Sequence, residues 1–501
     1  MHQQGTEAAL GITRRSFLRG GALTALGLPT LRGSSEITRN AQVSFKPSAD
    51  LLAASVQTAS WVRSAERRTP QGSFWLPEPD HPEKLATISP AQGLYSGSAG
   101  TLLFFLQLAK ATQDRSYLED AKRAADYLAS TWREGDEAAQ LPAARRYSFY
   151  NGLAGTAFAL TETWKATGDA RYKDAAIAIT DKLVEAAQPA GAGIAWSSSP
   201  GVGADGGVVL YLLYAANALE RGDYRIVAKK AGERIAELGE RSPQGGTQWR
   251  GGPPPKGLPA DTYFPNFEMG TAGIAYVLAR LFEETGDARY LDAAKSGAEH
   301  LQNIAVVDHD SALIPYRLPD LANIYYLGFC HGPAGSARLF YQLHKITKQD
   351  AYLEWTERLA HGVIRSGIPD TQTPGYWNVV CQCCGSAGVT DFFLGLWAAT
   401  GKDEYYAFAN KVAEQTLGQH SNLDGKGYRW YQAWTRVKPW DVNAETGYSI
   451  GASGVGSALL HAALAQQGRY EAIVLPDNPF PASRHEDLEA ARRPIELEFL
   501  P

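Results

Sequence analysis

The chain is poor in cysteine, in methionine and in net charge. Four cysteines and two methionines occur among 501 residues. Such scarcity makes the placement of the thiols informative, and three of the four stand within "CQCC", residues 381–384. A net charge of −5, with no basic patch, speaks against nucleic acid as a partner. No apolar run is long enough for an ordinary membrane span. The apolar stretches also lack two-residue alternation, which argues against a strand-built core.

What is present fits a soluble globular protein with a large core: 44% hydrophobic and 20% charged residues. Twelve Trp and twenty-four Tyr are many. Several sit in polar, Gly-rich stretches, where they either line a cleft or belong to the core. At the N-terminus, "TRRSFLRG" (Thr13 to Gly20) precedes the weakly apolar "GGALTALGLPTL". Arg14 and Arg15 before such a run form the twin-arginine export pattern. The expectation is a signal peptide and linker over residues 1–40, with the mature chain starting between residues 32 and 45. The protein would then be exported already folded, to a periplasmic or extracellular destination.

One block recurs seven times: "SGSAGTLLFFLQL" from Ser96, "NGLAGTAFALTET" from Asn151, a degenerate "GADGGVVLYLLYA" from Gly203, "MGTAGIAYVLARL" from Met269, "HGPAGSARLFYQL" from His331, "CGSAGVTDFFLGL" from Cys384 and "IGASGVGSALLHA" from Ile450. In all but the degenerate copy, G-x-x-G opens a short stretch that is apolar nearly all round and rich in Ala and Leu. These stretches are predicted to be buried helices. A second block alternates with the first, as in "ATGDARYKDAAIAITDKLVEA" and "ETGDARYLDAAKSGAEHL". Each copy starts at an Asp suited to an N-cap and carries apolar residues at three- and four-residue spacing. These are predicted to be amphipathic surface helices, with "SADLLAASVQTASWVRSAE" as the seventh.

Helices that are apolar all round must be enclosed, and half-apolar helices can enclose them. The expected fold is all-α, an α/α toroid of seven inner and seven outer helices spanning residues 45–470. Residues 471–501 are expected to form an irregular tail along the surface. Inner-to-outer turns are short, while outer-to-inner loops are long. The long loops therefore gather on one face, where the inner helices begin and their dipoles present positive ends.

Cys330 lies two residues before Gly332, and Cys383 and Cys384 lie two and one before Gly385. All three precede adjacent inner helices at equivalent places, which should bring them together. Three thiolates near helix N-termini suit Zn²⁺. A Cys330–Cys383 or Cys330–Cys384 disulfide, or unliganded buried thiols, are the alternatives. His331 and Cys381 compete as ligands, and a fourth sulfur from Cys381 would close the site. The reading taken is an open zinc site on Cys330, Cys383 and Cys384.

The seven G-x-x-G helices, with a Cys-His-Gly block and a later cysteine block, resemble the lanthionine synthetase C family over residues 45–470. The resemblance implies a toroid with one zinc that activates a cysteine thiolate for addition to a dehydroamino acid. Relatives use the scaffold to add glutathione. Cys330 and Cys383 match the family's first two zinc cysteines, while Cys384 replaces its ligand His. A third thiolate makes the zinc a poorer Lewis acid and leaves a bound thiol more nucleophilic. Met269 stands where the family has its catalytic His, and Tyr326 where it has an Arg. Asp205 is a rough counterpart of the family's Asp. The candidate proton-transfer residues are His331, Glu268 and Asp205; the alternative for His331 is a hydrogen bond to a loop carbonyl, and for Glu268 and Asp205 the capping of helix starts, the reading favoured for both.

The function expected from these residues is zinc-activated thiolate addition on a peptide or small thiol, by a monomer without a stable membrane span. Two rivals stand beside it. The first is a carbohydrate-active toroid enzyme using two carboxylates among Asp205, Glu268 and Asp391, with Trp249, Trp377, Trp430, Trp434 and Trp440 lining its cleft. The second is a catalytically inert, zinc-stabilised binding protein.

Overall fold

The computed structural model describes residues 50–81, 92–138, 141–252, 254, 258–319 and 323–485. The export segment expected over residues 1–40 lies outside these, as does the tail beyond residue 485.

Seven inner helices run over Ser98–Thr112, Leu153–Thr167, Asp205–Ala218, Thr271–Thr285, Pro333–Thr347, Ser386–Thr400 and Ala452–Gln466. Seven outer helices run over Leu51–Ser64, Arg115–Ala138, Ala170–Ala186, Gly222–Glu237, Ala288–Ile304, Asp350–Arg365 and Asp403–Gly418. Each inner helix packs on the next, and the seventh packs on the first, so the inner ring is closed. The first outer helix packs on the seventh inner one. There Ser55 Oγ donates to the carbonyl of Gly456 at 2.9 Å, joining the two ends of the domain. The fold is thus the α/α toroid that the repeat implies.

The inner helices carry apolar residues on every side because each is enclosed by two ring neighbours, an outer helix and the axis. In the seventh, every residue from Ala452 to Ala465 is buried. The outer helices bury one stripe only, such as Tyr290, Ala294, Gly297, Ala298 and Leu301 in the fifth. Their early tyrosines stitch neighbours together. Tyr172 Oη donates to Asp126 at 2.9 Å and Tyr224 Oη donates to Asp181 at 2.8 Å.

The second motif glycine serves close approach. A methyl group on Gly335 would overlap the carbonyl oxygen of Phe329, and one on Gly273 that of Phe267. In both repeats the loop six residues upstream lies directly against the first helical turn. Five of the seven inner helices end on Thr before a tight turn into the outer helix. Thr167 Oγ1 donates to the carbonyl of Thr163 and accepts the N–H of Asp169 at 3.2 Å. Asp169 then caps the outer helix through the N–H of Arg171.

Asp287 caps its helix in the same way, and Asp50 caps the first outer helix. In three outer helices the expected cap is shifted. Arg221, Gln349 and Lys402 occupy the N-cap, and Asp223, Asp350 and Asp403 sit in the first turn. There a carboxylate favours the positive helix end without capping it.

The outer-to-inner connections hold short antiparallel hairpins that the helical periodicity did not signal. They include Gln188–Ala190 with Gly193–Ala195 and Val306–Asp308 with Ser311–Leu313. Some loop tryptophans are pegs rather than cleft walls. Trp249, Trp377 and Trp430 are buried, and their Nε1–H groups donate to the carbonyls of Ile235, Ala433 and Thr416. Trp434 and Trp440 are exposed at the tip of a loop between Gln432–Ala433 and Val442–Asn443.

The segment after the last inner helix departs from the expected surface course. Arg469–Glu471 pairs with Ser483–His485, and the intervening chain enters the lower end of the inner ring. Asp477 is 1% exposed and forms an ion pair with Arg338 of the fifth inner helix at 3.0 Å. Tyr150 Oη also donates to Asp477, and Phe480 stacks on Tyr341. A hollow ring of apolar helices leaves an axial space, and this segment fills its lower part.

Candidate metal centre

The mouth of the ring is framed by one equivalent position in successive repeats, two residues before the first motif glycine. Tyr95, Tyr150, Glu268, Cys330, Cys383 and Ser449 occupy it. Their backbones form a ladder. The N–H of Glu268 donates to the carbonyl of Cys330 at 2.9 Å, and that of Cys330 to Cys383 at 3.1 Å. Cys383 donates to Ser449 at 2.9 Å, Ser449 to Tyr95 at 2.9 Å, and Tyr95 to Tyr150 at 2.7 Å. The side chains that meet at the mouth are therefore set by backbone spacing.

The sulfurs of Cys330, Cys383 and Cys384 all lie within 4.8 Å of one another. Cys330 Sγ is 3.2 Å from Cys384 Sγ, which is 3.6 Å from Cys383 Sγ. Tetrahedral zinc with sulfur bonds of about 2.3 Å spaces its sulfurs at about 3.8 Å. The donor set and spacing fit such an ion with small side-chain adjustment. Cys381 lies outside this trio, and its Sγ accepts the N–H of Cys384 at 3.5 Å. All four cysteines are free thiols.

The trio favours one thiolate. Hydrogen bonds from Cys330 and Cys384, with another from Tyr95, hold Cys383 well below the usual thiol range. Cys330 is pushed up by its bond with Cys383, and Cys384 by its bond with Cys330. A cation would relieve this by accepting all three as thiolates.

Glu268 and His331 stand beside the trio. Glu268, Cys330 and His331 each bring a ligand-capable atom within 4.8 Å of the others. Loss of water around Glu268, reinforced by the Cys383 charge, pushes its carboxyl up to about 8. Burial pushes His331 down to about 4, and its Nδ1 has no hydrogen-bond partner. Three rings box in this imidazole: Phe264 at 5.5 Å, Tyr316 at 5.1 Å and Tyr326 at 5.9 Å between centroids. Tyr326 stacks on Tyr316 at 4.1 Å with an interplanar angle of 10°. Tyr326, where the resemblance implies an Arg, is thus half of an aromatic slab.

Asp205 is not part of the cluster. It lies in the first turn of the third inner helix and accepts from the N–H groups of Trp196 and Ser197 at 3.2 Å, and from Ser197 Oγ at 2.7 Å. These bonds clamp the preceding hairpin to the helix. Its carboxyl is raised by burial against the lowering effect of the same bonds.

Below the thiols lies about 680 Å³ of empty space, open in part to solvent. Cys383, Glu268, Tyr95, Arg338, Asp391 and His461 line it, and the 472–478 segment forms its floor. Asp391 of the sixth inner helix meets His461 Nδ1 of the seventh at 2.8 Å and accepts from Gln382 Nε2 at 2.7 Å. His461 Nε2 contacts Gln107 Oε1. Sequence reasoning missed Tyr95, although it stands in the same register as Cys330 and Cys383. It also missed His461, Arg338 and Tyr316, for which no local pattern gave a signal.

The chain matches the model of the lanthionine synthetase C-like protein family over residues 91–474. Nisin cyclase superposes with a TM-score of 0.54 at 14% identity, covering 77% of this chain and 91% of its own. A GH76 α-mannanase from Bacteroides thetaiotaomicron gives a TM-score of 0.46 at 13% identity, covering 84% of this chain and 97% of its own. Cellobiose 2-epimerase from Bacillus thermoamylovorans B4167 gives 0.39 at 12% identity, covering 62% and 84%. No curated protein matches in sequence. Among the described residues no helix is long and apolar enough to cross a membrane. With the family model spanning most of the closed ring and both cysteine blocks, the chain belongs to the lanthionine synthetase C-like family.

Proposed function

We propose that this protein is a zinc-dependent thiol-addition enzyme that joins a thiol to an unsaturated acceptor in a peptide or small molecule. The observation that carries this is the meeting of Cys330, Cys383 and Cys384 at the mouth of the ring, with Glu268 and His331 alongside. These three residues would hold the ion, which when bound keeps a substrate thiol in its thiolate form.

The chain's own groups then divide the work. The backbone ladder fixes the sulfurs before any substrate arrives. Phe264, Tyr316 and Tyr326 keep water from His331 and leave an apolar wall for the acceptor. As the new sulfur–carbon bond forms, the proton given up by the thiol must end on the neighbouring carbon. Glu268 and His331 are the proton-transfer groups placed to deliver it. Asp205 is assigned to loop clamping instead.

Twin-arginine export through Arg14 and Arg15, action outside the cytoplasm and a monomeric state belong to the same proposal. A secreted reporter carrying residues 1–45 would stay in the cytoplasm once both arginines are changed to Lys.

The test is metal analysis of purified protein together with product analysis. One zinc per chain is expected, lost in Cys330→Ala, with a thioether formed from a thiol and a dehydroalanine peptide. Full zinc retention by Cys330→Ala would end the metal assignment. A second reading, a carbohydrate-active enzyme, is favoured by one observation: Glu268 and Asp391 line the same axial space. Turnover of oligosaccharides that survives zinc removal and fails in Asp391→Asn would select it. Zinc binding with neither activity would select the inert binding protein.

A further inference from the structure

Cys381 is the one thiol that the trio does not use. It is 3% exposed and accepts the N–H of Cys384 through its sulfur. Cys381 and Cys384 stand in C-x-x-C spacing immediately before the helix that begins at Ser386. This spacing folds two cysteines into one turn, closed by the N–H of Gly385 donating to the carbonyl of Cys381 at 3.0 Å. Cys384 therefore has the sulfurs of Cys330 and Cys383 within 3.6 Å of its own, while its N–H meets Cys381 Sγ. It is also the partly exposed member of the four, since Cys330, Cys381 and Cys383 are buried.

We propose that Cys381 and Cys384 form a reversible disulfide that competes with the metal for Cys384. The oxidant is a small-molecule disulfide. Cys384, a thiolate when it serves as a metal ligand, attacks one of its sulfurs, the sulfur–sulfur bond breaks, and one thiolate departs. Cys381 then gives up its proton and attacks Cys384 Sγ, expelling the second thiolate. The two protein thiols lose two protons and two electrons in all, and the oxidant becomes two thiols. When the trio holds a metal, Cys330 and Cys383 are engaged, and Cys381 alone is free to resolve the mixed disulfide. Closure of the bond withdraws Cys384 and leaves two sulfurs at the mouth. Both the choice of Cys381 as resolving thiol and the release of metal rest on the zinc reading, because without the metal Cys330 Sγ stands 3.2 Å from Cys384 Sγ and competes.

Zinc-loaded full-length protein is treated with glutathione disulfide. Released zinc is followed with a chromophoric chelator, and the linked positions are mapped by differential alkylation and fragmentation that separates residues 381, 383 and 384. The expected result is a Cys381–Cys384 link formed in step with zinc release and reversed by dithiothreitol. Cys381→Ala and Cys381→Ser should each keep one zinc when reduced, and should lose it at least about tenfold more slowly under the oxidant. A link from Cys330 to Cys383 or Cys384 instead, or release from both variants at the parent rate, would overturn the proposal. If the reduced protein holds no zinc, the metal reading fails; a Cys381–Cys384 link mapped in that metal-free protein then keeps the disulfide, and a Cys330–Cys384 link overturns it.

Discussion

Cys384 Sγ lies 3.2 Å from Cys330 Sγ, although the two residues belong to different repeats. Their approach follows from the backbone ladder, in which Cys330 donates its N–H to the carbonyl of Cys383. The ladder does not depend on any side chain, so single substitutions of the cysteines should leave the ring intact.

Cys384→His supplies the ligand type that the family resemblance implies and, on the proposed metal reading, should retain one metal per chain. With Co²⁺ in place of zinc, the thiolate-to-metal absorption should fall by about a third, as three sulfurs become two. Unchanged absorption would mean that Cys384 is not a ligand.

Gly335 packs against the loop before its own helix, where a methyl group has no room beside the Phe329 carbonyl. Gly335→Ala should destabilise the protein by about 3 kcal/mol or more, because neither backbone can yield cheaply. Gly286, a helix-end glycine with nothing near its missing Cβ and a φ of +69°, offers a contrast. Gly286→Ala should cost about 1 kcal/mol, from backbone conformation alone. Equal losses in urea denaturation would contradict the packing account.

Arg338 neutralises the buried carboxylate of Asp477, with side chains 14% and 2% exposed. Arg338→Met should cost about 3–5 kcal/mol by leaving Asp477 without its cation. Adding Asp477→Asn should recover much of that loss. A double variant no better than the single one would show that Arg338 acts through packing on Phe329, over whose ring it lies at 4.5 Å.

His300 of the fifth outer helix is buried, and burial pushes it down to about 4; it shares a 2.8 Å hydrogen bond with Tyr263. The folded protein keeps this imidazole neutral, whereas the unfolded chain protonates it near 6.5. The contribution of His300 is therefore complete above pH 6.5 and is lost as pH falls toward 4, by up to about 1.4 kcal/mol per pH unit. His300→Gln should flatten the stability profile in that window. An identical acid limb in the variant would assign the pH dependence to other groups.

The ring and its register were legible in the sequence because each repeat carries its own instructions. All-round apolar stretches have no stable place except inside, and amphipathic ones supply the enclosure. The motif glycines mark where loop and helix must touch. That regularity sufficed to place Cys330, Cys383 and Cys384 at one mouth. The hairpins between helices escaped notice because strands of two to four residues leave no periodic trace.

What the sequence alone determined was the repeat, the count of helices and the equivalence of the cysteine positions, since these depend on local composition and spacing. Only the tertiary structure decided which side chains share the axis. It separated Asp205 from the thiols by giving it three donors in its own loop, and it left Cys381 behind the trio. It brought His461 to Asp391, and it drew Asp477 into the ring against Arg338. Those contacts join residues tens to hundreds of positions apart. They are fixed by ring closure and by the need to pair buried charge, and no local pattern encodes either.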